Sequence, residues 1–348
     1  MTTTIKRRPQ LRIALNSRCN RACFYCRPSG EASSTAAGLA IDPDDLLFFI
    51  SVAARRGLID VKLTGGDPAL YDPLVDVARA IRSDTSVNAL EVISRHPLIG
   101  GKAAALAAAG VTTFNMSIDT IDPELHKRIC GVDDLPELLA ALDVLVSTTV
   151  PVKVNTVVMK GVNADEVMRL VTFCETVGVA SLKLLDVIED LDGGTEFNTV
   201  RLRRKGQVLR LEELYLPLEQ ISQTLRETAS SVAIQTQGDL GHPMSVFTMP
   251  SGLKVIVKDS QQGSWYGPIC AGCPHFPCHD ALMAVRLTAD LRAQFCLLRD
   301  EITVDLSDAI RSRDQATLDD ALGEVLDVYA EAEFVPSGRP LLHAGGRR

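Results

Sequence analysis

The chain has 348 residues, 46% of them apolar and few aromatic, and a net charge of −8 at neutral pH. That length buries a substantial core and is expected to give one large domain and a smaller one. The acidic balance argues against a nucleic-acid scaffold. No apolar run reaches the roughly 20 residues that cross a bilayer, and the start "MTTTIKRRPQ" lacks the apolar core of a secretion signal, so a cytoplasmic location without membrane or nucleic-acid partners is expected.

In chain order, residues 1–10 read as an arm, and the strand-like run "LRIALN" leads straight into "LNSRCNRACFYCRP", where Cys19, Cys23 and Cys26 are spaced C-x3-C-x2-C. Further strands are expected at "DVKLTG", "ALEVIS", "TFNMSID", "VKVNTVV" and "SLKLLDV", and helices at "DPDDLLFFISVAARRG", "DPLVDVARAIR", "GKAAALAAAG", "DLPELLAALDVLVS" and "ADEVMRLVTFCETVG". Several helices open with Asp and close with Gly, as capping predicts. This alternation implies a parallel sheet, either a barrel or an open doubly wound sheet, with chemistry collected beyond the C-terminal strand ends.

The polar residues at those ends are the cysteine loop after strand one, "GGDP" (Gly65, Gly66, Asp67 and Pro68) after strand two, and Ser94 with Arg95 after strand three. Asp119 ends strand four, Asn155 lies in strand five, and Lys183 and Asp186 fall in strand six. Singly, "GGDP" reads as a turn and Asp119 as the cap of "DPELHKR". Their shared location favours one cavity. A second thiol group, Cys270, Cys273, Cys278 and Cys296, lies in "ICAGCPHFPCHDALMAVRLTADLRAQFC", with His275 and His279 beside it.

Cytoplasmic thiols stay reduced, so nine cysteines, seven of them in two groups, read as metal or cofactor ligands. Three thiolates leave a [4Fe–4S] cubane one ligand short, and its open iron is free to bind something else. A zinc site is the alternative at both groups, in a non-enzymatic module.

With the aromatic Tyr25 before the third cysteine and "GGDP" downstream, the sequence resembles the radical S-adenosylmethionine (radical SAM) superfamily. More narrowly, "LRIALNSRCNRACFYC", "DVKLTGGDPALYDPLVDVARAIR", "LAAAGVTTFNMSIDTIDPELHKRICGVDDLPELLAAL" and "VPVKVNTVVMKGVNADEVMRLVTFCETVG" resemble the GTP 3′,8-cyclases of molybdenum-cofactor synthesis over most of the first 190 residues. The resemblance implies a partial six-stranded βα barrel over residues 11–212, a small auxiliary-cluster domain over 213–330, and a flexible tail over 331–348.

It also implies that the open iron at Cys19, Cys23 and Cys26 chelates S-adenosylmethionine, whose reductive cleavage yields a 5′-deoxyadenosyl radical that abstracts hydrogen. Tyr25 would lie near the adenine, the "GGDP" backbone would meet the methionine amino group, and Ser94, Ser117, Asp119 and Asn155 would line the rest of the cofactor pocket. A second [4Fe–4S] cluster is implied at Cys270, Cys273 and Cys296. An electron donor such as flavodoxin or ferredoxin is implied as partner, and a homodimer is among the expected states.

Several positions depart from the family pattern. Cys278 offers a fourth thiolate that would close the auxiliary cluster. Asp60 and Lys62 replace a "K-x-R" pair, Ala284 stands for an Arg, Lys183 for Arg, Asp186 for Glu, and "SRH" for "TNG" after strand three; two Arg follow the paired glycines of the tail. Fewer Arg forks weaken triphosphate recognition. Arg12, Lys62, Lys160, Lys183, Asp186 and Arg286 remain as candidate substrate contacts. They suit a small nucleoside, nucleotide or sugar-like substrate, with GTP itself, or a ribosomal peptide, as alternatives.

Overall fold

Six short, largely apolar runs pair side by side in the order in which they occur, which is what short helical crossovers between parallel strands produce. They are β1 (Gln10–Ala14), β2 (Asp60–Thr64), β3 (Ala89–Ser94), β4 (Thr113–Ser117), β5 (Val152–Val157) and β6 (Ser181–Leu185), all parallel. The computed structural model describes residues 7–26, 38–83, 86–188, 211–273, 280–299 and 302–336.

Helices α1 (Pro43–Arg55), α2 (Leu74–Ser83), α3 (Leu98–Ala108), α4 (Pro123–Cys130), α5 (Leu135–Val146) and α6 (Val167–Val177) join these strands. Asp42 caps α1 by accepting from the amides of Asp44 and Asp45, with Pro43 in the first turn. The cap of α4 is Asp122, which accepts from Leu125 N at 2.8 Å, so Asp119 is left for another task.

Beyond β6 the chain forms α7 (Glu219–Thr228) and a hairpin of β7 (Ser231–Gln237) and β8 (Leu240–Thr248), followed by β9 (Lys254–Lys258), β10 (Ser264–Tyr266), β11 (Ala284–Leu287), β12 (Arg292–Gln294) and β13 (Thr303–Asp305). The long helix α8 (Gln315–Ala330) and the short β14 (Glu333–Val335) follow. Strand β9 pairs in parallel with β6 and β11 with β1, so the segment expected as a second unit adds strands to both edges of the six-stranded core. The result is a curled half-barrel sheet of twelve strands, ordered β13-β12-β11-β1-β2-β3-β4-β5-β6-β9-β8-β7.

Side chains alternate faces along each strand. Val92, Val154, Leu182 and Leu184 are buried in the core formed with the helices. The intervening residues face the concave side, and the register puts Arg286, Arg12, Lys62 and Glu91 in one row across β11, β1, β2 and β3. A second row runs Ser117, Asn155, Lys183 and Ile256 across β4, β5, β6 and β9. Among the described residues no helix is long and apolar enough to cross a membrane.

Candidate active site

The cysteine loop leaves β1 and is tied down on both sides. Toward the helices, Arg21 forks onto Asp134 at 2.9 and 2.6 Å, and the amides of Ala22 and Phe24 donate to the carbonyls of Cys130 and Ile129. Toward β2, Gly66 N donates to Asn16 O at 2.7 Å and Asp67 N to Arg18 O at 2.8 Å. Gly65 has φ +147°, and a Cβ on either glycine would overlap the backbone of residues 16–18, so the pair is a close-approach device that clamps the cysteine loop to the strand end.

The Asp67 carboxylate is turned inward. It accepts from Ser94 Oγ at 2.7 Å, Arg95 N at 2.8 Å and Ala69 N at 2.9 Å, and thereby joins the end of β3 to the same turn. Burial pushes its pKa up against these three bonds. With the side chain so occupied, the part of "GGDP" open to a ligand is its backbone.

Asp119 is the hub of a buried knot. Its Oδ2 accepts from Tyr25 OH at 2.7 Å and from Arg95 Nη2 at 2.6 Å, and its Oδ1 takes Val157 N at 2.9 Å. Burial works against the charge on Arg95, and the Asp119 carboxylate more than offsets it, so the guanidinium stays ionised. This knot orients Tyr25 beside Cys26. In the sequence Arg95 is only a residue after strand three; the fold makes it the bridge between Tyr25 and Asp119.

The thiols respond to burial. That of Cys23 is pushed up to about 12 and that of Cys19 is raised, although the Arg21 amide hydrogen-bonded to Cys19 works the other way. In the second group, Cys296 Sγ accepts from Leu298 N at 3.2 Å, and Cys270 and Cys273 are joined by a turn in which Cys273 N donates to Cys270 O at 3.1 Å. Backbone amides aimed at thiol sulfur suit iron–sulfur ligation. Among the described residues no three His, Cys, Asp or Glu side chains converge on a single ion, and a cubane, which takes each thiolate on a different iron, does not require it. Cys278, with His275 and His279, lies outside the described residues.

Arg286 is buried. It donates to Asp280 Oδ1 at 3.0 Å and to Phe295 O at 2.9 Å, while Asp280 Oδ2 takes Leu297 N at 2.9 Å. These bonds hold the backbone on both sides of Cys296. Lys160 is exposed beyond β5, its amide donating to Leu214 O at 2.8 Å. Asp186 is buried and its Oδ2 accepts from Ser260 N at 2.9 Å, yet among the described residues the buried Asp186 Oδ1 and Ser260 Oγ have no hydrogen-bond partner. A carboxylate oxygen beside a serine hydroxyl, which both donates and accepts, suits a hydroxyl or amino group of a bound molecule.

The concave face carries cations beyond those singled out in the sequence. Glu91 bridges Lys62 at 3.0 Å and Lys153 at 3.3 Å and accepts from Asn115 at 2.6 Å. At Lys62 burial outweighs the pull of Glu91 and depresses the amine, whereas at Glu91 the two lysines outweigh burial and hold the carboxyl at about 2, against an ordinary 4.5. The stability this carboxylate contributes is complete above its ordinary value and lost as pH falls through its folded one. Glu91→Gln is expected to cost about 1–3 kcal/mol at neutral pH, with the gap to the unchanged protein narrowing from pH 4.5 toward about 2. Urea denaturation followed at Trp265 across that range checks it; a gap independent of pH refutes it.

Residues 13–174 match the Radical SAM superfamily. The half-barrel resembles that of Streptococcus suis SuiB bound to S-adenosylmethionine, with a TM-score of 0.57 at 12% identity, covering 91% of this chain and 68% of that one. Fold and cysteine loop together define a radical SAM enzyme. The "Probable GTP 3′,8-cyclase" of Metallosphaera sedula is 30% identical over 315 residues, covering 90% of this chain and 87% of that protein. That of Thermococcus kodakarensis is 28% identical over 302 residues, covering 87% and 89%. The chain belongs to the GTP 3′,8-cyclase family within the radical SAM superfamily. A [4Fe–4S] cluster with S-adenosylmethionine and an auxiliary cluster are its cofactors, and the non-enzymatic zinc module is excluded.

Proposed function

We propose that this enzyme acts on a purine nucleoside triphosphate as a GTP 3′,8-cyclase, joining C3′ of the ribose to C8 of the base. The observation that carries this reading is the cation-lined concave face, in a chain whose relatives of matching length are named for that reaction. Cys19, Cys23 and Cys26 hold the first cluster, the fit being the clamped loop and the amide at Cys19. When bound, that cluster and S-adenosylmethionine supply a carbon-centred radical that takes a hydrogen atom from the substrate.

The chain's own residues bind and orient. The "GGDP" backbone, Ser94, Ser117 and Asn155 line the cofactor's place, while Asp119 and Arg95 fix Tyr25 there. Cys270, Cys273 and Cys296 hold the auxiliary cluster, with Cys278 as a candidate fourth ligand. Arg12, Lys62 and Lys183 face the substrate's negative charge, and the orphaned oxygens of Asp186 and Ser260 accept from its hydroxyl or amino groups. Lys160 serves from the rim. Arg286 acts through Asp280 on the Cys296 backbone. Reducing equivalents come from a donor such as flavodoxin or ferredoxin.

Ala284, buried where the family pattern has an Arg, and Arg286, engaged by Asp280, favour as second reading a different nucleotide. Anaerobic incubation of reconstituted enzyme with reductant, S-adenosylmethionine and GTP decides. The expected result is 5′-deoxyadenosine together with a guanine nucleotide bearing a C3′–C8 bond. 5′-Deoxyadenosine formed with all GTP recovered unchanged overturns the cyclase reading.

A further inference from the structure

Strand parity places Lys258 on the concave side. In β9 it pairs with Leu185, two residues beyond Lys183 on the same face of β6, and Ile256, two residues before it, pairs with Lys183 itself. Lys153, two residues before Asn155, shares that face. Burial and then the charges of Lys62, Lys258, Arg12 and Lys153 depress the Lys183 amine well below its ordinary range, so all four act on the position of Lys183. Glu91 offsets Lys62 and Lys153, but among the described residues Lys183 has no hydrogen-bonded or ion-paired partner. An amine held out of water with no partner of its own, as Lys183 is, destabilises a fold. An anionic ligand between β6 and β9 relieves that cost.

We propose that Lys258 is a specificity-determining residue that recognises the oligophosphate of the substrate, supplying from β9 the charge that this chain lacks at Asp60 and Ala284. The register agrees. Asp60 stands at the start of β2, its Oδ1 accepting from Asn88 at 2.9 Å, and Ala284 is fully buried in β11, so neither offers a cation. Lys258 approaches instead from the opposite edge of the six-stranded core, and it lies near enough to help lower the Asp280 carboxyl, after burial and Arg286. The cationic wall is thus moved from the β11 side to the β9 side.

The proposal rests on the reading of the substrate as a nucleoside triphosphate and is tested apart from turnover, by equilibrium binding of inorganic tripolyphosphate, GTP and guanosine to the reconstituted holoenzyme. Lys258→Met, which keeps the volume and removes the charge, is expected to weaken tripolyphosphate and GTP alike by about tenfold or more and to leave guanosine unchanged, with iron content intact. Lys258→Gln, which keeps a polar end, replaces it if Lys258→Met does not hold its iron. Equal loss for guanosine and tripolyphosphate shows a structural effect and overturns the proposal, as does undiminished tripolyphosphate binding. Lys258-dependent tripolyphosphate binding without GTP turnover supports it while the cyclase reading fails. GTP turnover with full affinity in the variant does the reverse.

Discussion

Replacing Cys19, Cys23 and Cys26 together by Ala is expected to halve the iron of anaerobically reconstituted protein, from about eight atoms to about four, and to abolish cleavage of S-adenosylmethionine to 5′-deoxyadenosine. The effect is all or none because the three thiols belong to one loop, held by Arg21 on Asp134 and by Gly66 and Asp67 on the carbonyls of Asn16 and Arg18. No other described cysteine belongs to that loop. The Cys296 group is held by separate bonds through Asp280, so the remaining iron should keep the spectrum of the auxiliary cluster. Iron and sulfide analysis with electron paramagnetic resonance of the reduced variant checks this. Retained cleavage, or zinc in place of iron in the unchanged protein, refutes it.

Gly66→Ala is expected to be nearly as damaging although it removes no functional group. The added Cβ would overlap the Arg18 carbonyl and crowd Ser17, and neither is the yielding end of a flexible side chain. Backbone must shift, at a cost of about 3 kcal/mol or more, and what shifts is the segment leading into Cys19. Loss of iron at the first cluster should therefore accompany the lower midpoint in denaturant. The same substitution at Gly101, an exposed position of α3, meets nothing within 4 Å and is expected to stabilise by about 0.5–1 kcal/mol. Opposite signs from one chemical change identify close approach as the cause. Gly66→Ala protein with full iron and unchanged stability would show that the turn is not a clamp.

Much of the core was legible in the sequence because its signals are local. β-Branched runs, Asp caps and Gly stops fall within a few residues, and "ALEVIS" is β3 to the residue. The cysteine spacing carries its own chemistry, since three thiols and one open iron need only a short loop. The six strand ends therefore point to one cavity in the linear chain itself. Taken singly, local pattern is ambiguous. Asp119 reads as a helix cap, whereas Asp122 caps α4 and Asp119 joins Tyr25 to Arg95.

What the sequence by itself determined is the alternation of strands and helices and the chemistry of the cysteine loop, each set by residues near one another in the chain, while the half-barrel was implied by the family resemblance. Only the tertiary structure decided which charges share the cavity. Glu91 meets Lys62 and Lys153 across 29 and 62 residues of chain, and Lys258 shares a face with Lys183 only because β9 pairs with β6 instead of starting a new sheet. Strand parity says that a residue faces one side, but register says which side and beside whom. Register is fixed by pairing between distant segments, and for that reason the cationic wall at β9 and the orphaned oxygens of Asp186 and Ser260 had no signature in the linear chain.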